Sequence, residues 1–123
     1  MKDTNISLKI LLVQAETITQ TALKYRLTKD LPNYDVTVDI ADNGKIGVEK
    51  FQSGNYDIIL IDFLMPVMDG YQASYRIHEI DPDIPIIGLS KPELTDERHS
   101  AFTFLLKKPF RFLELKSKIL ELL

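Results

Sequence analysis

A chain of 123 residues, 45% apolar and 27% charged, has the material for one hydrophobic core and not the length for two, so a single domain over residues 1–123 is expected. Its net charge of -3 gives nucleic acid or an anionic membrane no basic surface, and its apolar runs fall far short of a membrane span. The lack of cysteine excludes disulfides, thiolate zinc sites and a cysteine nucleophile; with no apolar leader in Met1-Lys2-Asp3-Thr4-Asn5, a cytoplasmic protein is expected.

Residues 8–13 read as a buried strand, because Ile10-Leu11-Leu12-Val13 is a continuous apolar run that ends at an exit loop of Gln14, Ala15 and Glu16. Thr17-Ile18-Thr19-Gln20 has the spacing of a capping box, and Ile18, Ala22 and Tyr25 follow at helical spacing to about Lys29, which predicts a first helix with those three on its buried face. Leu31-Pro32-Asn33 breaks the chain. Val36, Val38 and Ile40 then alternate with Thr37 and Asp39, the pattern of a half-covered edge strand.

Asn43-Gly44 is compatible with a hairpin turn, but Val48 and Phe51 continue at helical spacing, so a second helix is expected, capped near Asp42 or Asn43 and ended by Gly54. Residues 57–62 follow as the central strand. Its four apolar residues, Ile58-Ile59-Leu60-Ile61, are what burial on both faces requires, and they deliver Asp62 to the point where the strand leaves the sheet. Met65-Pro66 forces extended backbone, and Asp69-Gly70 supplies a turn and a cap for a third helix with Ala73, Ile77 and Ile80 on one face, closed by Asp81-Pro82.

Residues 84–89 form a fourth strand with Pro85 at its start and Ser90 at its exit. The weak helical period over 91–103 predicts a short fourth helix, 104–106 a fifth strand, Lys107-Lys108-Pro109-Phe110 its exit, and 111–123 a final helix. That last helix is apolar on two sides: Phe112, Leu115, Ile119 and Leu122 on one, Leu113, Leu120 and Leu123 on another, more than one buried stripe needs. Five alternations of strand and helix point to an α/β fold, a parallel sheet with helices on both faces. In open α/β sheets ligands bind at the carboxyl ends of the strands, which here carry Gln14-Ala15-Glu16, Asp62, Ser90 and Lys108. His78 and His99 have no metal-ligand partner at useful spacing and read as exposed helix histidines.

In this order and spacing, Lys9-Ile-Leu-Leu-Val13, Ala41-Asp-Asn-Gly44, Asp57-Ile-Ile-Leu-Ile-Asp62, Met65-Pro66 with Met68-Asp69-Gly70, Pro85-Ile-Ile-Gly-Leu-Ser90 and Lys108-Pro109-Phe110 resemble the receiver domain of two-component response regulators over nearly the whole chain. The resemblance implies a flavodoxin-like, doubly wound five-stranded sheet in the order 2-1-3-4-5, the order usual for that class of fold. It implies that Asp62 is the phosphoacceptor for a histidine kinase or phosphotransfer protein, that Lys108 supplies a positive charge beside it, that Ser90 bonds a phosphoryl oxygen, and that the Lys108-Pro109 bond is cis. It implies a non-enzymatic signalling role, with association through the surface of the fourth helix, fifth strand and fifth helix.

Departures from the family's pattern matter as much. The family's acidic pair after the first strand, which holds magnesium, is replaced by Gln14-Ala15; Gln14 has a neutral oxygen, Ala15 has none, and Glu16 is expected to point elsewhere. Asp62 then faces Lys108, with Lys91 and Lys107 next to pocket positions in sequence, so charge balance no longer requires a cation and weak or absent magnesium binding is expected. Leu105 stands where the family often has tyrosine or phenylalanine, and the chain between Ser90 and Lys108 is short for the family, which trims the fourth-helix region. Two functions therefore stand: a phosphorelay receiver with an impaired magnesium site, or a phosphorylation-independent pseudo-receiver that serves as an interaction module. A dehalogenase-like phosphatase would need a second acid where Leu64 stands, and a flavodoxin would need a glycine-bearing phosphate loop where Ala15-Glu-Thr-Ile-Thr19 stands. The chain ends just after the final helix, so no effector domain is expected within it.

Overall fold

The structure, a computed structural model, describes residues 5–90 and 101–123. Five parallel strands, β1 (Ile6–Val13), β2 (Tyr34–Ala41), β3 (Ile58–Asp62), β4 (Ile86–Ser90) and β5 (Phe104–Lys107), form one sheet in the order β2-β1-β3-β4-β5. Among the described residues the helices are α1 (Thr17–Lys29), α2 (Gly44–Ser53), α3 (Gly70–Ile80) and α4 (Phe112–Leu122), the last being the helix expected over 111–123. The fourth helix expected over 91–103 lies, for residues 91–100, outside the described residues, as do Lys91 and His99.

Successive strand residues face opposite sides of the sheet, and the side chains sort accordingly. Leu11, Val13, Ile59, Ile61, Ile86 and Leu105 pack with Val48 and Phe51 of α2 and Ala73 and Ile77 of α3. On the other face Ile10, Leu12, Ile58, Leu60, Ile87 and Leu106 pack with Leu23 and Leu27 of α1 and Leu115 and Ile119 of α4. The central strands β3 and β4 are buried along their whole length, which is why they read as unbroken apolar runs. β2 sits at the edge and keeps an alternating pattern.

Both predicted caps of the second and third helices are present. Asn43 accepts from the Ile46 amide at 2.9 Å, and Asp69 and Gln72 form a reciprocal capping box, with the Gln72 amide donating to Asp69 at 2.8 Å. Gly54 terminates α2. Gly70 follows the Asp69 cap closely enough that a Cβ there would lie 2.5 Å from the Asp62 carbonyl oxygen, so the start of α3 is pressed onto the end of β3.

Several expectations need correction. The buried face of α1 is Gln20, Leu23 and Leu27; Ile18 is 78% exposed, Tyr25 60% exposed, and Ala22 also faces solvent. Both stripes have helical spacing, and the sheet receives the one whose leucines fit the apolar face of β1 and β3. The capping box at Thr17 does not form: Glu16 occupies the N-cap with no side-chain bond to a backbone amide of the first turn, and Gln20 turns inward instead of back to the cap. On α3, Ile80 is half exposed at the helix end, while His78 is half buried and donates its Nε2–H to the Ile84 carbonyl at 3.0 Å. Ile84 and Pro85 precede β4 rather than lying in it, and the Pro85 carbonyl accepts from the Ile59 amide at 3.0 Å.

Candidate functional site

The carboxyl ends of β1, β3, β4 and β5 bring Gln14, Asp62, Ser90 and Lys108 to one mouth of the sheet. Ladder register does the positioning: Val13 pairs with Ile61, Asp62 with Leu89, and Ser90 with Lys107. The bonds continue past the strand ends, from the Phe63 amide to the Leu89 carbonyl at 3.0 Å, from the Lys108 amide to the Ser90 carbonyl at 2.7 Å, and from the Gln14 amide to the Ala41 carbonyl at 3.0 Å. Each candidate side chain therefore leaves from backbone fixed on a neighbouring strand. The Lys108-Pro109 bond is cis.

Asp62 is 5% exposed, and both of its carboxylate oxygens are occupied. Oδ2 accepts from Lys108 Nζ at 2.7 Å and from Gln14 Nε2 at 2.9 Å; Oδ1 accepts from the Leu64 amide at 3.1 Å. Two uncharged donors and one ammonium thus meet the hydrogen-bonding needs of this buried carboxylate. The Lys108 side chain is 38% exposed, so its ammonium reaches in from the rim. Ser90 is 1% exposed, and its hydroxyl has no hydrogen-bond partner among the described residues.

Gln14 is arranged differently from its sequence-level reading as a neutral oxygen ligand. Its Oε1 accepts from the Glu16 amide at 3.0 Å, and this fixes which end of the side chain meets Asp62. Exchanging the two ends would set the amide nitrogen against the Glu16 N–H and the amide oxygen against the carboxylate, two repulsive contacts in place of two hydrogen bonds. The loop is pinned from behind by Gln20, whose Nε2 donates to the Gln14 carbonyl at 2.5 Å and to Asp42 Oδ1 at 2.8 Å. Ala15 is exposed and carries no donor, and the Glu16 carboxylate turns back to the Thr19 hydroxyl. Among the described residues no three acidic, histidine or cysteine side chains gather as a metal-binding group.

Asp62, Ser90 and Lys108, singled out in the sequence, are therefore brought to one mouth. Gln20 and the Leu64 amide were not foreseen. A polar residue on the inward face of an otherwise leucine-lined helix was the available signal for Gln20; no side-chain pattern announces a backbone amide.

A family model for the response regulator receiver domain matches residues 10–120. The chain is 33% identical over 124 residues to the transcription factor prr1 of Schizosaccharomyces pombe, covering 94% of this chain, and 50% identical over 50 residues to the autoinducer 1 sensor kinase/phosphatase LuxN of Vibrio harveyi, covering 41% of it. It spans only 22% and 6% of those relatives' lengths. The response regulator TrrA of Thermotoga maritima, solved with Mg2+ and beryllofluoride, superposes with a TM-score of 0.86 at 32% identity, over 94% of this chain and 99% of that one. TrrA bound to the histidine kinase ThkA superposes at 0.84, over 94% and 98%.

Proposed function

Because the chain belongs to the response regulator receiver domain family, we propose that residues 1–123 act as one receiver of a two-component phosphorelay, cytoplasmic and not itself an enzyme, in which Asp62 accepts a phosphoryl group from a histidine kinase or phosphotransfer protein. The observation that carries this reading is the contact of Lys108 Nζ with Asp62 Oδ2 at 2.7 Å, at a strand mouth that also holds the unpartnered Ser90 hydroxyl. A carboxylate oxygen lone pair forms the new O–P bond as the P–N bond of a phosphohistidine breaks. The electron pair leaves with the imidazole nitrogen, which takes a proton from solvent. Lys108 and the Ser90 hydroxyl then bond phosphoryl oxygens, the neutralisation and positioning that phosphoryl transfer mainly needs. The exposed stripe Ile18, Ala22 and Tyr25 begins four residues after Gln14 and supplies a kinase-facing apolar surface beside the mouth. Leu113, Leu120 and Leu123, all exposed on or just after α4, supply the second contact surface, for a homodimer or an output partner.

Receiver domains of this family normally use Mg2+, which binds through oxygen ligands. The residues here do not fit it: Gln14 presents its NH2 group to Asp62 and commits its oxygen to Glu16, and Ala15 has no ligand atom. Magnesium binding is accordingly weak. The same occupied carboxylate favours a second reading, a phosphorylation-independent pseudo-receiver that serves as an interaction module. Intact-mass measurement after incubation with a small phosphodonor or a kinase separates the two. An adduct of one phosphoryl group in the wild type, lost in Asp62→Asn, is expected of the phosphorelay receiver; no Asp62-dependent adduct with any donor leaves the pseudo-receiver.

A further inference from the structure

The geometry points to a metal-independent acceptor site in which the Gln14 side-chain amide, together with Lys108, takes the place of a divalent cation at Asp62. This inference rests on the phosphoacceptor reading above and assigns Gln14 a direct part in it. Three observations support it. First, the orientation of the amide is set by its other end, since Oε1 is held by the Glu16 N–H at 3.0 Å while Nε2 lies 2.9 Å from Asp62 Oδ2. Second, the side chain is 4% exposed and its backbone carbonyl is held by Gln20, so the donor is fixed before any ligand arrives. Third, among the described residues Asp62 is the only acidic side chain that the Gln14 and Lys108 side chains bond, Asp42 lying one step further out on Gln20, and Lys108 balances the Asp62 charge. At Oδ2 one carboxylate faces one ammonium, so this pair leaves no net charge for a divalent ion to offset.

Gln14 Nε2 and Lys108 Nζ converge on the same oxygen, Oδ2. A tetrahedral group added there places its peripheral atoms beside both donors. The Gln14 nitrogen carries two hydrogens and is seen to use one on Asp62, so a second is available to the incoming group. The Ser90 hydroxyl, buried and unpartnered among the described residues on the adjacent strand, gives a third donor. Donors preset at the position where negative charge arrives stabilise it without reorganisation, a role that fixed amides fill as well as metals.

The test uses the full chain, beryllofluoride as the phosphoryl mimic, and 19F NMR with excess EDTA or with added Mg2+; circular dichroism verifies the fold of each variant. The wild type is expected to give bound fluoride signals in EDTA, absent in Asp62→Asn, with less than a threefold gain in affinity from Mg2+. Gln14→Met, similar in length but without the donor, is expected to lose at least tenfold in EDTA. Gln14→Glu sets a second carboxylate against Asp62 and is expected to give bound signals only with Mg2+, a reversal of metal dependence that a purely structural role for Gln14 does not produce. A wild-type adduct that forms only with Mg2+ overturns the inference while leaving the phosphoacceptor reading intact. An adduct in EDTA that Gln14→Met retains overturns the part given to Gln14. No adduct under either condition overturns the inference and counts against the phosphoacceptor reading itself.

Discussion

At Asp62 the decisive quantity is how many donors a buried carboxylate has, and which of them are replaceable. Removing Lys108 as Lys108→Met leaves the Gln14 and Leu64 donors in place, and the lysine is already 38% exposed. Its loss should therefore cost less than the roughly 3–5 kcal/mol of breaking a fully buried pair, because solvent screens the contact. Gln20 is the opposite case. It is 9% exposed and holds both the Gln14 carbonyl and Asp42, so Gln20→Met strands a buried acceptor and should lower unfolding free energy by about 1–3 kcal/mol. Urea denaturation of both variants checks the pair of expectations; a Gln20→Met midpoint equal to wild type would show that the loop does not depend on this anchor. Asp62, Ser90 and Lys108 were legible in the sequence because a strand end fixes where its next residue goes. The direction of the Gln14 amide was not, since the Glu16 amide determines it through a local bond that residue types do not encode.

At the scale of the element, α1 shows where periodicity stops being informative. Ile18, Ala22 and Tyr25 lie on one stripe, and Gln20, Leu23 and Leu27 on another, and both satisfy a 3.6-residue period. Position against β1 selects the second, and only tertiary structure carries that information. Leu23→Ala should cost about 2–5 kcal/mol as a core truncation, whereas Ile18→Ser should stay within about 0.5 kcal/mol in stability, the reverse of the ranking the first stripe suggests. Thermal melts of the two variants decide between the stripes, and the Ile18→Ser protein, still folded, becomes the reagent for testing kinase contact at that face. The caps were easier to read. Asp69 caps α3 as expected, with Gln72 completing the box, and Asp69→Ala should remove about 0.5–2 kcal/mol through the frayed start of α3, which is packed on the end of β3 through Gly70.

At the scale of the whole molecule, the sheet belongs to two cores at once, so the loss of either helical layer bares one full face of the same strands. One bond also crosses three strands of it. Tyr56, just ahead of β3, donates its hydroxyl to Asp39 on the edge strand β2 at 2.7 Å, passing over β1, whose Lys9 ammonium lies 5.0 Å from the ring centroid. Burial of the phenol, then its bond to Asp39 and the charge of that carboxylate, push the Tyr56 pKa from 10.0 up to about 12. The protonated phenol is the form the folded protein prefers, so the stability it contributes is fully present below pH 10. It falls as pH rises from there and is lost once the folded-state value near 12 is passed. Comparison with Tyr56→Phe isolates the hydroxyl, because the two chains differ in that group alone. The difference in urea midpoint between wild type and Tyr56→Phe should therefore be constant up to about pH 10 and shrink steadily toward pH 12. A difference that stays level across that range would mean the hydroxyl does not tie the edge strand to the centre of the sheet.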